Sequence, residues 1–254
     1  MIRYASLDGR RLAYDVAGAG DPPIVFVHGW SCERSHLEPQ FRHFATRHRV
    51  AALDLRGHGQ SDPGPAYGTE AFADDVLAVI ADAGLDRSDR PVVVGHSLGA
   101  LVALTVAARP DAVRATVLVD PAPALPGRGK SFFARSTEAV ASDEDGSWRA
   151  AFVERLFGPH DTVRRAETIA AVAATPRAVS AATWQAIADF DGAAVLPRVS
   201  GPVLLVTAGP PEAGVAEQLA DVTVGRTVGA GHFLPLEVPD QLNPMIERFL
   251  RITR

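Results

Sequence analysis

Two residues in this chain stand where acyl chemistry would need them. Ser97 lies in Gly95-His96-Ser97-Leu98-Gly99, between the apolar run 91–94 and the helical pattern 100–108. A G-x-S-x-G turn in that context holds a serine on a sharp strand-to-helix bend that only small flanking residues permit. The bend also puts the serine at the amino end of a helix, where the dipole favours negative charge. A serine hydroxyl becomes a strong nucleophile only when a base takes its proton. The chain has eight histidines, so position has to choose among them. His232 follows a strand and the turn Gly229-Ala230-Gly231 and precedes the last helical pattern, which lets its ring lean over the strand ends toward Ser97. The plainer readings are an inert serine in a glycine-rich turn and a solvated loop histidine. The strand and helix flanking Ser97 weigh against the first, and the position of His232 against the second.

Such residues need strand ends to stand on. Short apolar runs bounded by Gly, Pro or Asp recur at 24–27, 50–53, 92–94, 116–119 and 203–206, the pattern of strands buried on both faces of a parallel sheet. Residues 2–17 alternate as two entry strands, with a turn at Gly18-Ala19-Gly20-Asp21. Helical patterns fall at 35–46, at 69–84 with Thr69 as N-cap, at 98–109 and at 240–251. This alternation predicts an α/β fold with a mostly parallel twisted sheet of about eight strands and helices on both faces. It breaks after Asp120. Residues 121–198 are too many for one crossover helix; they open with the Pro-rich stretch 121–127 and carry helical patterns near 131–141, 147–157, 161–174 and 177–190. They read as a helical cap inserted after strand six, over the carboxyl ends of the strands, leaving 1–120 and 199–254 as the core domain.

With these elements in order, the chain resembles the α/β-hydrolase family over nearly its whole length. Besides Gly95 to Gly99, Val27-His28-Gly29-Trp30 resembles the family's oxyanion loop. The stretch 54–62, with Arg56-Gly57-His58-Gly59 at its centre, resembles the turn after strand four, and 229–237 the loop that delivers the catalytic histidine. The resemblance implies two backbone N–H donors for a tetrahedral oxyanion, those of Leu98 and Trp30. It implies structural roles for His28 and His58, while His96 is expected to point elsewhere on the elbow. A Ser–His pair needs a carboxylate to hold the imidazole, and two fit the chain order serine, acid, histidine. Glu212, after the strand 202–208, is near the family's commonest acid position, although Pro211 takes the slot itself. Asp120, ending the strand 116–119, resembles the acid of haloalkane dehalogenases and of zearalenone-type lactone hydrolases. The reading favours Asp120 and keeps Glu212 as the alternative. Asp54 and Asp62 are expected to organise the loop around Arg56, and Asp74 and Asp75 to be polar positions on an amphipathic helix.

The insertion is rich in aromatic residues, which at helical spacings are mostly packing residues. Trp148 and Trp184, together with Trp30 and Phe233, are candidates to line an apolar pocket for a hydrophobic ester or lactone. Relatives with the same triad also hydrolyse C–C bonds or make peracids, so both chemistries stand as alternatives. A non-catalytic ligand-binding module of the same fold is another, against which the intact Ser97 and His232 weigh. Enzymes of the fold that use an aspartate nucleophile are disfavoured by the serine at 97. A net charge of −5 leaves no basic footprint for nucleic acid. No metal cluster, dinucleotide fingerprint or P-loop occurs, so no cofactor is expected, and a single cysteine, Cys32, supports neither a disulfide nor a cysteine-built metal site. No stretch is long and apolar enough for a bilayer, and the first residues lack a signal-like apolar run. The expectation is a cytoplasmic enzyme acting on a small molecule as monomer or homodimer.

Overall fold

The computed structural model of the chain describes residues 2–87, 89–160 and 164–253. Among them, eight strands form one sheet: β1 (Ile2–Leu7), β2 (Arg10–Ala17), β3 (Ile24–Val27), β4 (Val50–Leu53), β5 (Val92–His96), β6 (Ala115–Val119), β7 (Val203–Thr207) and β8 (Val222–Arg226). Their order is β1-β2-β4-β3-β5-β6-β7-β8. The pairs β1–β2 and β2–β4 are antiparallel and the others parallel. Parallel neighbours need crossovers, and α1 (Glu38–Phe44), α2 (Thr69–Ala83) and α3 (Leu98–Ala107) lie within them. Between β6 and β7 the chain inserts α4 (Arg128–Ala141), α5 (Ser147–Glu154), α6 (Arg165–Ala174), α7 (Arg177–Asp189) and the short α8 (Gly192–Val195). After β8 come α9 (Leu234–Glu237) and α10 (Pro239–Ile252). No helix among the described residues is long and apolar enough to cross a membrane.

Period-two burial divides the core between the two faces of the sheet. Val25, Val27, Ala51, Leu53 and Val93 pack with α2, α3 and aromatic residues of the insertion, whereas Ile24, Phe26, Val50, Ala52, Val92 and Val94 pack with Phe44 of α1 and Leu242, Ile246 and Phe249 of α10. Every residue of α3 is buried, which explains why its sequence is apolar on all sides. By contrast, α10 buries one stripe and turns Arg248 and Arg251 to solvent. The register aligns the strand ends: Val27 lies beside Gly95, His96 beside Val119, and Val119 beside Val206. The segments that begin at His28, Ser97 and Asp120 therefore leave the sheet at one edge.

Several local expectations change. The hairpin turn of the entry strands is Asp8-Gly9, both with positive φ (49° and 78°), rather than the later glycine cluster; an Asp-Gly pair suits this turn because both positions need left-handed backbone. Gly68, in extended backbone, is the N-cap of α2, and Thr69 is its first helical residue. The helix expected at 161–174 begins at Arg165, and 161–163 lie outside the described residues. Asp75 is not a polar surface position. It is fully buried and holds Arg56 through Nη2 (2.6 Å) and Nε (3.0 Å), with the Arg56 N–H at 3.1 Å. Arg56 is thus organised from α2. Asp54 and Asp62, as expected, organise the loop that carries Arg56: Asp54 accepts from the Arg34 guanidinium and from the N–H groups of Arg34 and Gln60, and Asp62 accepts the Arg11 N–H while its carbonyl takes the Gly57 N–H (3.0 Å).

Candidate active site

Ser97 sits at the junction of β5 and α3 with φ 54° and ψ −115°, a conformation that L-residues rarely adopt. The strain is held by fit. A Cβ on Gly99 would lie 2.6 Å from the His28 carbonyl oxygen, and one on Gly95 would lie 2.7 Å from the Ala100 nitrogen. Both glycines of the motif are therefore required by close backbone approach. The Ser97 N–H donates to the Val119 carbonyl (3.0 Å), and its own carbonyl accepts from Ala100 (3.0 Å) and Ala122 (3.2 Å).

His232 reaches the same place from the turn between β8 and α9. Its Nδ1 lies 2.6 Å from Asp120 Oδ2. Since a carboxylate only accepts, Nδ1 carries the proton and Nε2 is left as the basic nitrogen. Asp120, itself at φ 40°, is fixed by its N–H to the Val206 carbonyl (2.7 Å) and by Oδ1 accepting the Ala208 N–H (3.0 Å). Burial pushes its carboxyl up, but the hydrogen bond and charge of His232, with the Ala208 N–H, outweigh burial and hold it below the ordinary carboxylate range. Glu212 is occupied elsewhere. Its carboxylate accepts the N–H groups of Ala124 (2.8 Å) and Leu125 (3.3 Å), pinning the segment that follows β6.

Ser97 and His232 line one cavity of about 190 Å³ together with Trp30, Phe133, Phe152, Trp184 and Phe233. Gly29 packs against Ser97 so closely that a Cβ there would be 3.2 Å from Ser97 Cβ. Among the described residues, neither the Trp30 nor the Leu98 N–H has an acceptor. The Trp30 side chain is anchored to the insertion by Nε1 donating to the Ser180 carbonyl (2.8 Å). Trp148, expected in the pocket, stands behind it: its ring stacks on Phe152 at 5.4 Å and 8°, and Phe152 is the wall. The two are one turn apart on α5, so the nearer shields the farther.

Residues 24–244 match the model of the alpha/beta hydrolase family. The chain belongs to that family. Among curated proteins it is 35% identical over 117 residues to 2-(acetamidomethylene)succinate hydrolase of Mesorhizobium japonicum, a match covering 45% of this chain and 41% of that protein. The chain spans less than half the length of the curated relatives it matches. A thermophilic esterase from Thermogutta terrifontis superposes with a TM-score of 0.85 at 25% identity, over 100% of this chain and 99% of that one. The enol-lactonase from Burkholderia xenovorans LB400 does so at 0.83 and 22%, over 98% and 100%, a likeness of fold.

This alpha/beta hydrolase also buries three imidazoles around the site. His28 donates from Nδ1 to the Gly29 carbonyl (2.8 Å) and accepts the Leu55 N–H at Nε2 (3.1 Å). His58 donates to the Arg56 carbonyl (3.1 Å). His96 does not point away from the site: it lines the cavity and donates from Nε2 to the His232 carbonyl (2.8 Å). Burial lowers each to about 3, aided at His58 by the charge of His28 and at His96 by that of His232. Cys32 also lines the cavity, and its thiol is pushed up to about 12 by burial and by Glu33, so it is packing rather than nucleophile.

The three imidazoles stay neutral in the fold and gain protons on unfolding. With folded values depressed below 6.5, their contribution is complete above pH 6.5 and is lost as pH falls toward 3. Each costs about 1.4 kcal/mol per pH unit within that window. Urea unfolding should therefore show a clearly lower midpoint at pH 5 than at pH 7 with an unchanged m-value; equal midpoints would contradict the neutral buried imidazoles.

Proposed function

We propose that the chain is a serine hydrolase that cleaves a carboxylic ester or lactone of a small, apolar, uncharged molecule through an acyl-enzyme on Ser97. The observation that carries this reading is a strained Ser97 sharing a cavity with His232, whose Nδ1 is held by Asp120 at 2.6 Å. His232 Nε2 takes the Ser97 proton as Oγ attacks the carbonyl carbon, and the C=O electron pair moves onto oxygen. The Trp30 and Leu98 N–H groups receive that oxyanion. When the tetrahedral adduct collapses, the alkoxide leaves with the proton from His232. Water then attacks the acyl-enzyme, gives its proton to His232, and the acid departs as Ser97 regains it. The insertion 121–198 acts as a cap whose Phe133, Phe152 and Trp184 keep the acyl group dry. The end-to-end likeness to an esterase and the match to a curated hydrolase support hydrolysis. Asp120 beside His232 supports the catalytic reading over a non-catalytic binding module.

The cavity wall limits the substrate. Among the described residues its lining holds no Lys, Arg, Asp or Glu, and its volume of about 190 Å³ lies below the range of roughly 300–1,000 Å³ found for drug-sized ligands. p-Nitrophenyl butyrate should turn over with a kcat/KM at least about tenfold above the laurate ester. Adding a terminal carboxylate to a short acyl chain should lower kcat/KM by about a hundredfold, because that charge would be buried unpaired. Comparable rates across this panel would contradict the pocket assignment, and no turnover of any member by folded protein would contradict the esterase reading.

A further inference from the structure

Besides Asp120, a second carboxylate is tied to the histidine loop, through the main chain. Glu237 closes α9 and folds back over residues 231–233. Its Oε1 accepts the Phe233 N–H (2.9 Å), and Oε2 accepts the N–H groups of Gly231 (2.8 Å) and of Gly158 (2.8 Å). Gly231 and Phe233 flank His232. Gly158 follows α5 in the insertion, and two residues before it the Leu156 carbonyl accepts the His232 N–H at 2.7 Å. The two backbones meet at van der Waals limits. A Cβ on Gly158 would lie 2.6 Å from Glu237 Oε2 and 2.7 Å from the Gly231 nitrogen, and one on Gly231 would lie 2.6 Å from the Phe157 carbonyl carbon. The Phe157 and Phe233 rings stack across the same seam at 4.4 Å and 14°.

We propose that Glu237 is a positioning residue for the base: one carboxylate binds the histidine loop to the 156–158 turn of the insertion and so sets where the His232 ring stands. The inference rests on His232 being the base. Asp120 and the Glu237 clamp act on different parts of the residue. Asp120 holds the imidazole from the side chain, while Glu237, Leu156 and His96 hold the peptide units on either side of it. Three N–H donors converging on one carboxylate make a set of charge-assisted hydrogen bonds, which are shorter and stronger than neutral ones. Without it, three main-chain N–H groups lose their acceptor and the loop parts from the insertion. A displacement of the base on the order of 1 Å costs about a hundredfold in rate. Of the cavity lining, Phe233 and Leu156 lie at this seam while Trp30, Phe133 and Trp184 do not hydrogen-bond Glu237, so the loss should fall on kcat more than on KM.

The test compares wild type, Glu237→Ala and Glu237→Gln in p-nitrophenyl butyrate turnover and in the rate of Ser97 phosphonylation by a fluorophosphonate. Glu237→Ala should lower kcat and the phosphonylation rate by about tenfold to a hundredfold while KM stays within about threefold. Glu237→Gln, which keeps one acceptor oxygen but turns an NH2 toward an N–H donor, should fall between the two. A folded alanine variant with wild-type kcat and labelling, whatever its loss of urea midpoint, would overturn the proposal. If the alanine variant does not fold, the glutamine variant decides, and wild-type kcat in it overturns the proposal likewise. Failure of the underlying reading looks different, since wild-type protein would then not label at all.

Discussion

Ser97→Ala is expected to lower kcat/KM for p-nitrophenyl butyrate by at least about 10⁴-fold, equivalent to about 5.5 kcal/mol of lost transition-state stabilisation. The effect should fall on kcat, because the hydroxyl contributes the bond that forms and little of the binding surface, which is aromatic. The fold should survive. Ser97 N–H and C=O keep their bonds to Val119, Ala100 and Ala122 whatever the side chain. A second substitution separates chemistry from strain. At φ 54° and ψ −115° a glycine is relaxed where serine is not, so Ser97→Gly should be equally inactive yet more stable by about 1 kcal/mol in urea. An alanine variant retaining more than a hundredth of wild-type activity would move the nucleophile elsewhere.

The second large effect separates the two acids. Asp120→Asn is expected to reduce kcat about 10²- to 10⁴-fold, because an amide facing His232 can present its NH2 to Nδ1 and favour the wrong tautomer, and it withdraws the charge that stabilises the imidazolium. Glu212→Gln should stay within about threefold of wild type, since its amide oxygen can still accept the Ala124 N–H and only the longer bond from Leu125 is lost, and among the described residues no hydrogen bond joins the side chain to His232. Parallel measurement of both at pH 7 distinguishes the roles. A collapse with Glu212→Gln alone would reverse the assignment.

Much of this was legible in residue order. The apolar runs at 24–27, 50–53, 92–94, 116–119 and 203–206 became β3 to β7 because strands buried on both faces leave a continuous apolar signature. The strand-turn-helix around Ser97 was legible for a related reason: the glycines at 95 and 99 are fixed by backbone clashes with no alternative. What escaped reading depends on contacts distant in sequence. Asp75 looks like any acid on an amphipathic helix until the loop carrying Arg56 folds over it, and a contact across nineteen residues has no local signature. Trp148 and Phe152 share a face of α5, and periodicity does not say which of two stacked rings meets the cavity. Glu212 and Asp120 both satisfied the chain order. Only the register of β6 beside β5, with Val119 next to His96, brings Asp120 to the level of the elbow. Among the described residues the hydrogen bonds of Glu237 all come from main-chain amides, so no residue type in its partners marks its role.

The proposed mechanism requires Ser97 to form a covalent bond under the influence of His232. Intact-mass spectrometry with peptide mapping after exposure to a fluorophosphonate tests this directly, on wild type, Ser97→Ala and His232→Ala. One adduct located on Ser97 in wild type, absent from Ser97→Ala and formed at least about a hundredfold more slowly in His232→Ala, is the predicted result. Folded wild-type protein that takes up no label, or that carries it on another residue, would contradict the account.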